Sequence, residues 1–317
     1  MRFLVVGAGS WGTAFTRVLL DRGHDVVLAC RSRAQAEAIA QTGWNPHYLQ
    51  GVDLSSAELV ALDDAPGDAE VVVAAVPSHA FAEVVGALPG AAPVLNLAKG
   101  LDPATGERLS TRVSDRPVAV LSGPNMAEEI AEGLPTAAVV ASEDAAFAGE
   151  LQHELNSSLF RVYVNPDLVG VELCGAAKNV IALAAGGVDG LKLGDNAKAS
   201  LIARGLAEMA RLGEAAGARA ETFAGLAGIG DLIVTCWSRY GRNRHAGELI
   251  AQGLTPERAA AEIGQTVEGL TTAPILRDLS HRLGVELPIT EGVCAVLSGQ
   301  SITELAAGLM GREPTEE

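Results

Sequence analysis

The chain is 317 residues long, which at roughly 100–200 residues per domain favours two domains. Hydrophobic residues make up 48% of it and charged residues 20%, as in folded soluble proteins, so disordered and fibrous classes are poor fits. The 39 acidic residues outnumber the 23 basic residues, and the net charge of −16 repels phosphate backbones and anionic lipid head groups. We therefore expect neither nucleic acid nor a membrane surface as a partner, and no membrane insertion.

The four cysteines are far apart in the sequence, and no Cys-x-x-Cys motif or His/Cys cluster indicates a metal site. We expect free, buried thiols and no metal. The apolar start of the chain is too short for the core of a signal peptide, and the longest aliphatic run, residues 71–76, is too short to cross a bilayer. The sequence therefore predicts a cytoplasmic protein.

Only four of the 23 basic residues are lysines, and the other 19 are arginines. Where a compositional bias replaces interchangeable surface lysines by arginine, a lysine that remains stands more often where a compact, deprotonatable ammonium is needed. Chance retention is the alternative. The four candidates are Lys99, Lys178, Lys192 and Lys198.

In the first half of the chain, short aliphatic runs alternate with helical patterns, which is typical of βαβ units around a parallel sheet. Most of these runs are apolar throughout, as in strands covered on both faces. The fold class is therefore α/β, with an N-terminal Rossmann-like, doubly wound sheet between two helical layers. The predicted strands are residues 2–6, 26–29, 71–76, 94–97, 118–121, 137–140 and 161–164.

The pattern changes at Asn165, Pro166 and Asp167, where Asn can cap a helix, Pro fits its first turn and Asp favours its positive end. The rest of the chain has helical patterns and no strong strand pattern. We therefore place one domain at residues 1–165 and an all-α domain at residues 166–317. Helices are predicted over 197–216, 256–263 and 271–283, and a polar, frayed end over 311–317.

A glycine-rich segment, residues 7–12 (GAGSWG), directly follows the first strand and precedes a helical pattern. In this context it matches the dinucleotide-binding fingerprint G-x-G-x-x-G. Gly7 permits the tight turn, Gly9 lets the backbone approach a pyrophosphate, and Gly12 allows close packing, while the helix start presents free N–H groups to the anion. A purely structural glycine turn is the alternative.

The second strand leads to Cys30, at the position where a strict NAD enzyme carries an acidic residue for the ribose 2′-hydroxyl. Arg31 and Arg33 instead offer guanidinium groups to a 2′-phosphate. We predict that NADP(H) is accepted and preferred, with NAD(H) as a second cofactor. The alternative is that both arginines are ordinary surface charges.

Three further segments follow predicted strands, at residues 76–78, 97–100 and 122–125. Ligands of open α/β sheets bind at the carboxyl ends of the strands. We therefore expect these segments, which include Lys99 and Gly123, to line the cofactor cleft. A helix is predicted over residues 126–132.

The helix that follows residue 167 is apolar nearly all round and should be buried, yet it contains Glu172, Lys178 and Asn179. Burial lowers the pKa of a lysine toward the range useful for proton transfer, so Lys178 is a candidate general acid. A structural ion pair of Lys178 with Glu172 or Asp231 is the competing interpretation.

Residues 228–236 and 241–244 combine an acid, a hydroxyl and two arginines in an acidic chain. We interpret them as an anion pocket, in which Arg242 can grip a phosphate through two parallel hydrogen bonds. Thr235 and Asn243 add neutral donors. A solvated loop is the alternative.

Together these segments resemble the bacterial-type NAD(P)-dependent glycerol-3-phosphate dehydrogenases over nearly the whole chain. The resemblance implies a reversible hydride transfer between a nicotinamide and C2 of dihydroxyacetone phosphate, giving sn-glycerol 3-phosphate for phospholipid synthesis. We expect a homo-oligomer, a dimer. The matching segments are GAGSWGTA (7–14), AKG (98–100), SGP (122–124), G-x-PTA (133–137), AKNV (177–180), GDNAKA (194–199), GDL (230–232), RNR (242–244) and VEG (267–269).

By similarity, Lys178 is the proton donor to the forming C2 alkoxide, and Lys99 polarises the carbonyl or orients the substrate near the nicotinamide. Asp231 would orient Lys178 or a substrate hydroxyl. Lys192 and Lys198 have no assigned role. The other substrate-binding residues implied are Gly123 and Gly241, with Thr235, Arg242 and Asn243 at the phosphate.

The resemblance also implies which residues meet the cofactor, in addition to the glycines of the fingerprint. Ser10 and Trp11 would contact the pyrophosphate region, and Arg31 the adenosine end. Lys99 would lie near the nicotinamide. The remaining contacts are Ala127 and Arg242 on the nicotinamide side and Glu268 in a distal lid.

The chain departs from the family at two positions, Asn125, where Ser is frequent, and Gly241, where bacterial members usually have Ser. Loss of the second hydroxyl removes one substrate hydrogen bond, which the backbone N–H of Gly241 can replace.

Two other functions stay open at this point. A related dehydrogenase that acts on a small 3-hydroxy acid would bind a carboxylate rather than a phosphate at Arg242. A non-catalytic NADPH sensor would keep the fold without turnover. That function predicts damage at Lys178 or Lys99, and both lysines are present.

Overall fold

The structure, a computed structural model, describes residues 1–303. Within this range eight strands form one sheet, in the order β3-β2-β1-β4-β5-β6-β7-β8. Strands β1 to β6 are parallel, β7 is antiparallel to β6, and β8 is parallel to β7. The strands are β1 (Arg2–Val6), β2 (Asp25–Cys30), β3 (Glu58–Ala61), β4 (Val71–Ala74), β5 (Val94–Asn96), β6 (Val118–Ser122), β7 (Thr136–Ser142) and β8 (Phe160–Asn165).

Helices α1 to α5 lie between the strands, and the chain is helical after β8. The helices are α1 (Ser10–Asp21), α2 (Arg33–Thr42), α3 (Ser78–Ala87), α4 (Ala127–Ala131), α5 (Ala145–Leu155), α6 (Leu168–Gly190), α7 (Asp195–Ala215), α8 (Ala220–Phe223), α9 (Asp231–Trp237), α10 (Arg242–Ala251), α11 (Pro256–Ile263), α12 (Glu268–Leu283) and α13 (Pro288–Leu297). Short 3₁₀ turns occur at Leu62–Asp64 and Leu109–Arg112, and a π turn at Leu226–Gly230.

The two faces of the sheet pack against different helices. Phe3 and Val5 belong to a core with α1, α2 and α5, whereas Leu4 and Val6 belong to a core with α3. This alternation follows from the two-residue period of a strand. At the far end of the second face, Val120 belongs to a third core, which is centred on α6. Helix α6 therefore joins the sheet to the helical region.

The predicted α/β class, with a Rossmann-like sheet followed by a helical region, is confirmed. All seven predicted strands are present, and all four cysteines are buried and free, as predicted. Strand β3 was missed, because it is a four-residue edge strand that starts with a charged residue. The sheet is not parallel throughout, because β7 runs antiparallel to β6, and the link between these two strands contains only the five-residue helix α4.

The predicted division at residue 165 coincides with the end of β8, and it stays a prediction. Helix α12 begins at Glu268, three residues before the predicted start. Residues 304–317, which include the predicted frayed end, lie outside the described residues.

Helix α6 is capped by Asp167 rather than by Asn165. The Asp167 carboxylate accepts a hydrogen bond from the Gly170 N–H at 2.9 Å, whereas the Asn165 side chain accepts one from the Asp167 N–H. By length and composition α6 could cross a membrane, but 89% of its most apolar window is buried inside the protein. It is a core helix.

Helices α6 and α10 touch through their backbones. A Cβ atom added at Gly186 would lie 1.8 Å from the Arg244 carbonyl oxygen, and one added at Gly247 would lie 1.9 Å from the Leu183 carbonyl oxygen. Real atoms cannot approach so closely, so only glycine fits at either position. This contact fixes the start of α10 above α6.

We expect Gly247→Ala to lower the free energy of unfolding by about 3 kcal/mol or more, because the new methyl group forces α10 away from α6. Urea unfolding of the purified variant measures this. Gly149→Ala is the matched control, since a Cβ at this position in α5 meets no atom within 4 Å, and it should be neutral or stabilising by up to about 1 kcal/mol. Equal stability of the two variants would contradict the backbone contact.

Candidate active site

The neighbouring parallel strands β1, β4, β5 and β6 end at one edge of the sheet. Residues 7–12, 76–78, 97–100 and 122–125 follow these strands and are brought to that edge, as predicted. Helix α6 packs on β6, and its middle part contributes Lys178. The site therefore combines the edge of the sheet with the helical region.

A buried carboxylate joins the two candidate lysines. Asp231 accepts a hydrogen bond from the Lys178 ammonium on one oxygen and one from Lys99, at 2.8 Å, on the other. Lys178 also donates to the Thr235 hydroxyl at 2.8 Å, and Lys99 donates to the Gly123 carbonyl oxygen at 2.9 Å. Of the two ion pairs considered for Lys178, the one with Asp231 is present. Glu172 instead pairs with Arg108 at 2.8 Å.

The local fold explains why Asp231 and Thr235 face the same lysine. They lie four residues apart on α9, so their side chains share one helix face, and both are almost completely buried. The π turn before α9 packs closely, since a Cβ at Gly228 would lie 2.1 Å from the Phe223 carbonyl oxygen. Only glycine therefore fits at position 228 in the turn that leads into α9.

The surroundings shift the acid–base properties of this cluster. Burial lowers the pKa of Lys178 to about 7, although the charge of Asp231 opposes this change. Burial alone would raise the pKa of Asp231, but the charges of Lys178 and Lys99 outweigh it and lower that pKa. Asp231 is therefore an anion at neutral pH, while Lys178 can release or take up a proton there.

A chain of side-chain amides links the cluster to the start of α10. Asn179 donates to the Lys99 carbonyl oxygen at 2.8 Å, Asn243 donates to the Asn179 oxygen at 2.9 Å, and the Gly269 N–H donates to Asn243 at 2.8 Å. Sequence reasoning noted Asn179 without a role. Its neighbour in sequence, Lys178, was the only signal.

The two arginines of the predicted anion pocket are separated. Arg242 is exposed, and its guanidinium donates to the Thr266 carbonyl oxygen at 3.1 Å. Arg244 instead turns away to pair with Asp189 and Glu248, each at 2.9 Å. Arg242 is therefore the arginine of this segment that remains available to an anion.

Gly241, one of the departures from the family, is the N-cap of α10. A Cβ at this position would lie 2.6 Å from the Thr235 carbonyl oxygen. A serine would therefore require the loop before α10 to shift. In this chain a glycine therefore fits the close approach of residue 241 to the backbone of α9.

Residues 7–12 fit the pyrophosphate of a dinucleotide. Gly7 has a φ of 108°, and a Cβ there would lie 2.6 Å from the Ala75 carbonyl oxygen. A Cβ at Gly9 meets no atom within 4 Å, so this side of the loop is open. Ser10 and Trp11 begin α1, whose N-terminus has no side-chain cap, and its N–H groups are free to bind an anion.

Sequence reasoning missed two residues that hold this loop. The Ala8 carbonyl oxygen accepts hydrogen bonds from the Asn45 amide at 2.9 Å and the Gln35 amide at 3.1 Å. Asn45 is fully buried, and Gln35 also accepts from the Arg31 N–H at 3.2 Å. The residue pair Asn45 and Pro46 is an ordinary turn signal, with nothing to connect it to the glycines.

At the end of β2, where the adenosine is predicted to bind, the structure of residues 1–303 leaves one of the two predicted guanidinium groups free. The Cys30 side chain is completely buried in the core and does not face a ligand. Arg33 pairs with Asp64 at 2.7 Å, whereas within residues 1–303 the Arg31 guanidinium has no hydrogen bond or ion pair. Of the two predicted arginines, Arg31 is therefore the available one.

Glu268 connects the two halves of the molecule. Its carboxylate accepts from the N–H and the hydroxyl of Ser78, at 2.9 and 2.5 Å, at the start of α3. Ala127 is the first residue of α4. Neither Glu268 nor Ala127 contacts the lysine cluster through a described hydrogen bond. In residues 1–303 no group of three or more His, Cys, Asp or Glu side chains is placed to hold a metal ion.

Both halves of the chain match models of one protein family. Residues 3–148 match the NAD-dependent glycerol-3-phosphate dehydrogenase N-terminus, and residues 167–307 match the C-terminus of the same family. The chain belongs to this family. The resemblance read from the sequence is therefore confirmed.

Relatives and solved structures agree with the family. The chain is 46% identical over 324 residues to a glycerol-3-phosphate dehydrogenase (NAD(P)+) from Moorella thermoacetica, covering 99% of this chain and 96% of the relative. It is 46% identical over 334 residues to a protein of the same name from Variovorax paradoxus, covering 100% and 99%. The crystal structure of glycerol-3-phosphate dehydrogenase from Coxiella burnetii has a TM-score of 0.94 at 36% identity, covering 98% and 99%.

A more distant neighbour shares only the fold. A ketopantoate reductase family structure from Ralstonia eutropha has a TM-score of 0.60 at 17% identity, covering 96% of this chain and 100% of that one.

The four lysines of the chain allow the protonation of Lys178 to be observed directly. In protein labelled with ¹³C at lysine Cε, we expect the Lys178 signal, which Lys178→Met identifies by removing it, to titrate near pH 7. Asp231→Asn should move the midpoint lower, because it removes the negative charge that favours the ammonium. A Lys178 signal that titrates only at the ordinary pKa of lysine would contradict the effect of burial.

Proposed function

We propose that the protein is an NAD(P)-dependent sn-glycerol-3-phosphate dehydrogenase. It interconverts dihydroxyacetone phosphate and sn-glycerol 3-phosphate and so supplies glycerol phosphate for phospholipid synthesis. Membership of the family supports the reaction. The single observation that carries the chemistry is the pair of lysine ammonium groups held by the buried carboxylate of Asp231.

Each of the two lysines keeps one donor for the substrate. An ammonium group has three N–H donors. Lys178 uses two of them, on Asp231 and Thr235, and Lys99 uses two, on Asp231 and Gly123. The third N–H of each ammonium is therefore free to bind the carbonyl oxygen of a substrate in the cleft.

In the direction of reduction, Lys178 Nζ donates a proton to the C2 oxygen as it becomes an alkoxide. In the direction of oxidation, Lys178 accepts the proton of the C2 hydroxyl. A bound nicotinamide dinucleotide supplies or accepts the hydride. Lys99 polarises the carbonyl through its remaining N–H. Asp231 keeps both ammonium groups oriented and compensates their charge, and Thr235 fixes the Lys178 ammonium.

The phosphate contact is assigned mainly to Arg242. Its guanidinium has one described partner, a backbone carbonyl, so several donors remain for the planar grip that suits phosphate. Thr235 and Asn243 already have side-chain partners and supply at most secondary donors. The backbone N–H of Gly241 donates to Ser238 at 3.1 Å, which makes it a weak replacement for a serine hydroxyl.

The cofactor residues follow the sheet edge. We assign Gly7, Gly9, Gly12 and the start of α1, with Ser10 and Trp11, to the pyrophosphate. We assign Arg31 to the adenosine end, so that NADP(H) is preferred over NAD(H). Lys99, Ala127, Arg242 and Glu268 are assigned to the nicotinamide side. No residue is assigned to a metal.

Three broader points remain proposals. The first is a division into a dinucleotide-binding domain, residues 1–165, and a substrate-binding and catalytic domain, residues 166–317; the position of residue 165 at the end of β8 supports it. The second is a homodimer. The third is a cytoplasmic location, which is supported by the four free thiols.

The test follows NADPH absorbance with dihydroxyacetone phosphate as substrate. We expect oxidation that requires the phosphate group, and Lys178→Ala should lower turnover by at least about a hundredfold, as for loss of a general acid. Turnover of a small 3-oxo acid in place of dihydroxyacetone phosphate would favour a 3-hydroxy-acid dehydrogenase. NADPH binding without turnover of either would favour a sensor.

The cofactor preference is tested at Arg31. We expect Arg31→Ala to lower kcat/KM for NADPH by about tenfold or more, because it removes charge-assisted hydrogen bonds to the 2′-phosphate, and to leave the value for NADH within about twofold. Arg33→Ala is the control, since Arg33 already pairs with Asp64. If the ratio of kcat/KM for NADPH to kcat/KM for NADH were unchanged in Arg31→Ala, the assignment of Arg31 to the 2′-phosphate would be wrong.

A further inference from the structure

One buried cation near the site, Lys198, and one partly buried cation, Arg244, take no part in the proposed reaction. Lys198 on α7 has a side chain only 7% exposed. Its ammonium donates to both oxygens of Asp189, at 2.7 and 2.9 Å, and lies 4.9 Å from the ring centre of Trp237. One of the four lysines of this chain is thus held at three points, although sequence reasoning gave it no role.

Arg244 shares the same carboxylate. It donates to Asp189 at 2.9 Å and to Glu248 at 2.9 Å, and its Nε donates to the Ser238 carbonyl oxygen at 3.3 Å. Arg244 therefore connects the end of α6, which carries Asp189, to the loop between α9 and α10, which carries Ser238.

That loop separates the two functional parts of the helical region. It begins after α9, which carries Asp231, and ends at Gly241, directly before Arg242. The Ser238 carbonyl oxygen also accepts from the Gly241 N–H at 3.1 Å. One carbonyl group is thus held from both sides, by the Arg244 side chain and by the backbone next to Arg242.

We propose that Arg244, held by Asp189, which Lys198 also holds, is a positioning residue for the phosphate of the substrate. It sets the loop 238–241, and with it the Arg242 guanidinium, at a fixed distance from the Lys178 ammonium on α6. A substrate gripped at its phosphate then presents its carbonyl carbon at the correct place. This inference rests on the proposed function and adds residues that do not contact the substrate.

Removal of Arg244 leaves no buried charge without a partner. Asp189 keeps the two hydrogen bonds from Lys198, and the Glu248 side chain is 30% exposed, so water can solvate it. An uncompensated buried charge is the usual reason for such variants to unfold. Arg244→Met should therefore fold and lose mainly the link to Ser238.

The experiment compares dihydroxyacetone phosphate with unphosphorylated dihydroxyacetone, at saturating NADPH. We expect Arg244→Met to lower kcat/KM for the phosphorylated substrate by at least about tenfold, chiefly through KM, because small errors of position are costly. The kcat/KM of the variant for dihydroxyacetone should stay within about twofold of the wild-type value. A general structural defect would lower both values together, and that outcome would overturn the proposal.

Two further variants separate charge from geometry. Lys192→Met, in the turn that precedes α7, removes an exposed lysine with no described ion pair. It should leave kcat/KM unchanged for both substrates. Arg244→Lys keeps the charge but lacks the fork that reaches Asp189 and Ser238 together, so its KM for the phosphorylated substrate should stay raised. Full activity of Arg244→Lys would show that the link to Ser238 is dispensable and would overturn the proposal.

Different results would overturn the proposed function and the positioning role of Arg244. Wild-type protein that reduces both substrates equally well overturns the proposed function. Wild-type selectivity for the phosphate that persists in Arg244→Met overturns only the positioning role. If Arg244→Met does not fold, Lys198→Met tests the same network, because Asp189 still accepts the hydrogen bond from Arg244. We then expect a smaller rise in KM, and only for the phosphorylated substrate.

Discussion

The site depends on one buried carboxylate placed between two ammonium groups. Lys99 follows β5 and Lys178 lies in α6, and two like charges this close repel each other strongly where water is excluded. Asp231 compensates one of the two charges and leaves the group with a net positive charge. A chain with a net charge of −16 repels an anionic substrate at long range, so this local excess and Arg242 must supply the attraction that the rest of the surface opposes.

The packing that forms the core also sets the environment of Lys178, the proposed proton donor. Helix α6 packs against the sheet, against α10 through glycines and against α9 through Asp231. This position leaves Lys178 almost without solvent, and burial is the main cause of its lowered pKa. A substitution that loosened α6 would therefore weaken the fold and return the pKa of Lys178 toward that of an ordinary lysine.

Most of the fold and part of the site could be predicted from local sequence patterns. Seven strands, the glycine turn and the candidate proton donor could be read from short segments, because each depends on neighbours in sequence. What could not be predicted depends on distant segments: the Asn45 amide on the Ala8 carbonyl oxygen, Glu268 on Ser78, and the turning of Arg244 away from Arg242. No spacing rule relates such pairs.

Two carboxylates of the helical region, Asp231 and Asp189, are each shared by two cations, and the choice of cation separates their roles. Both partners of Asp231 are lysines, each of which keeps a spare N–H, and burial lowers the pKa of Lys178, so this cluster suits proton transfer. Asp189 is shared by Lys198 and Arg244, and a guanidinium stays charged and spans two acceptors, so this cluster suits fixed geometry. Because Lys178 and Asp189 belong to the same helix, α6, the link at Asp189 attaches the loop 238–241 to the helix that carries the proposed proton donor.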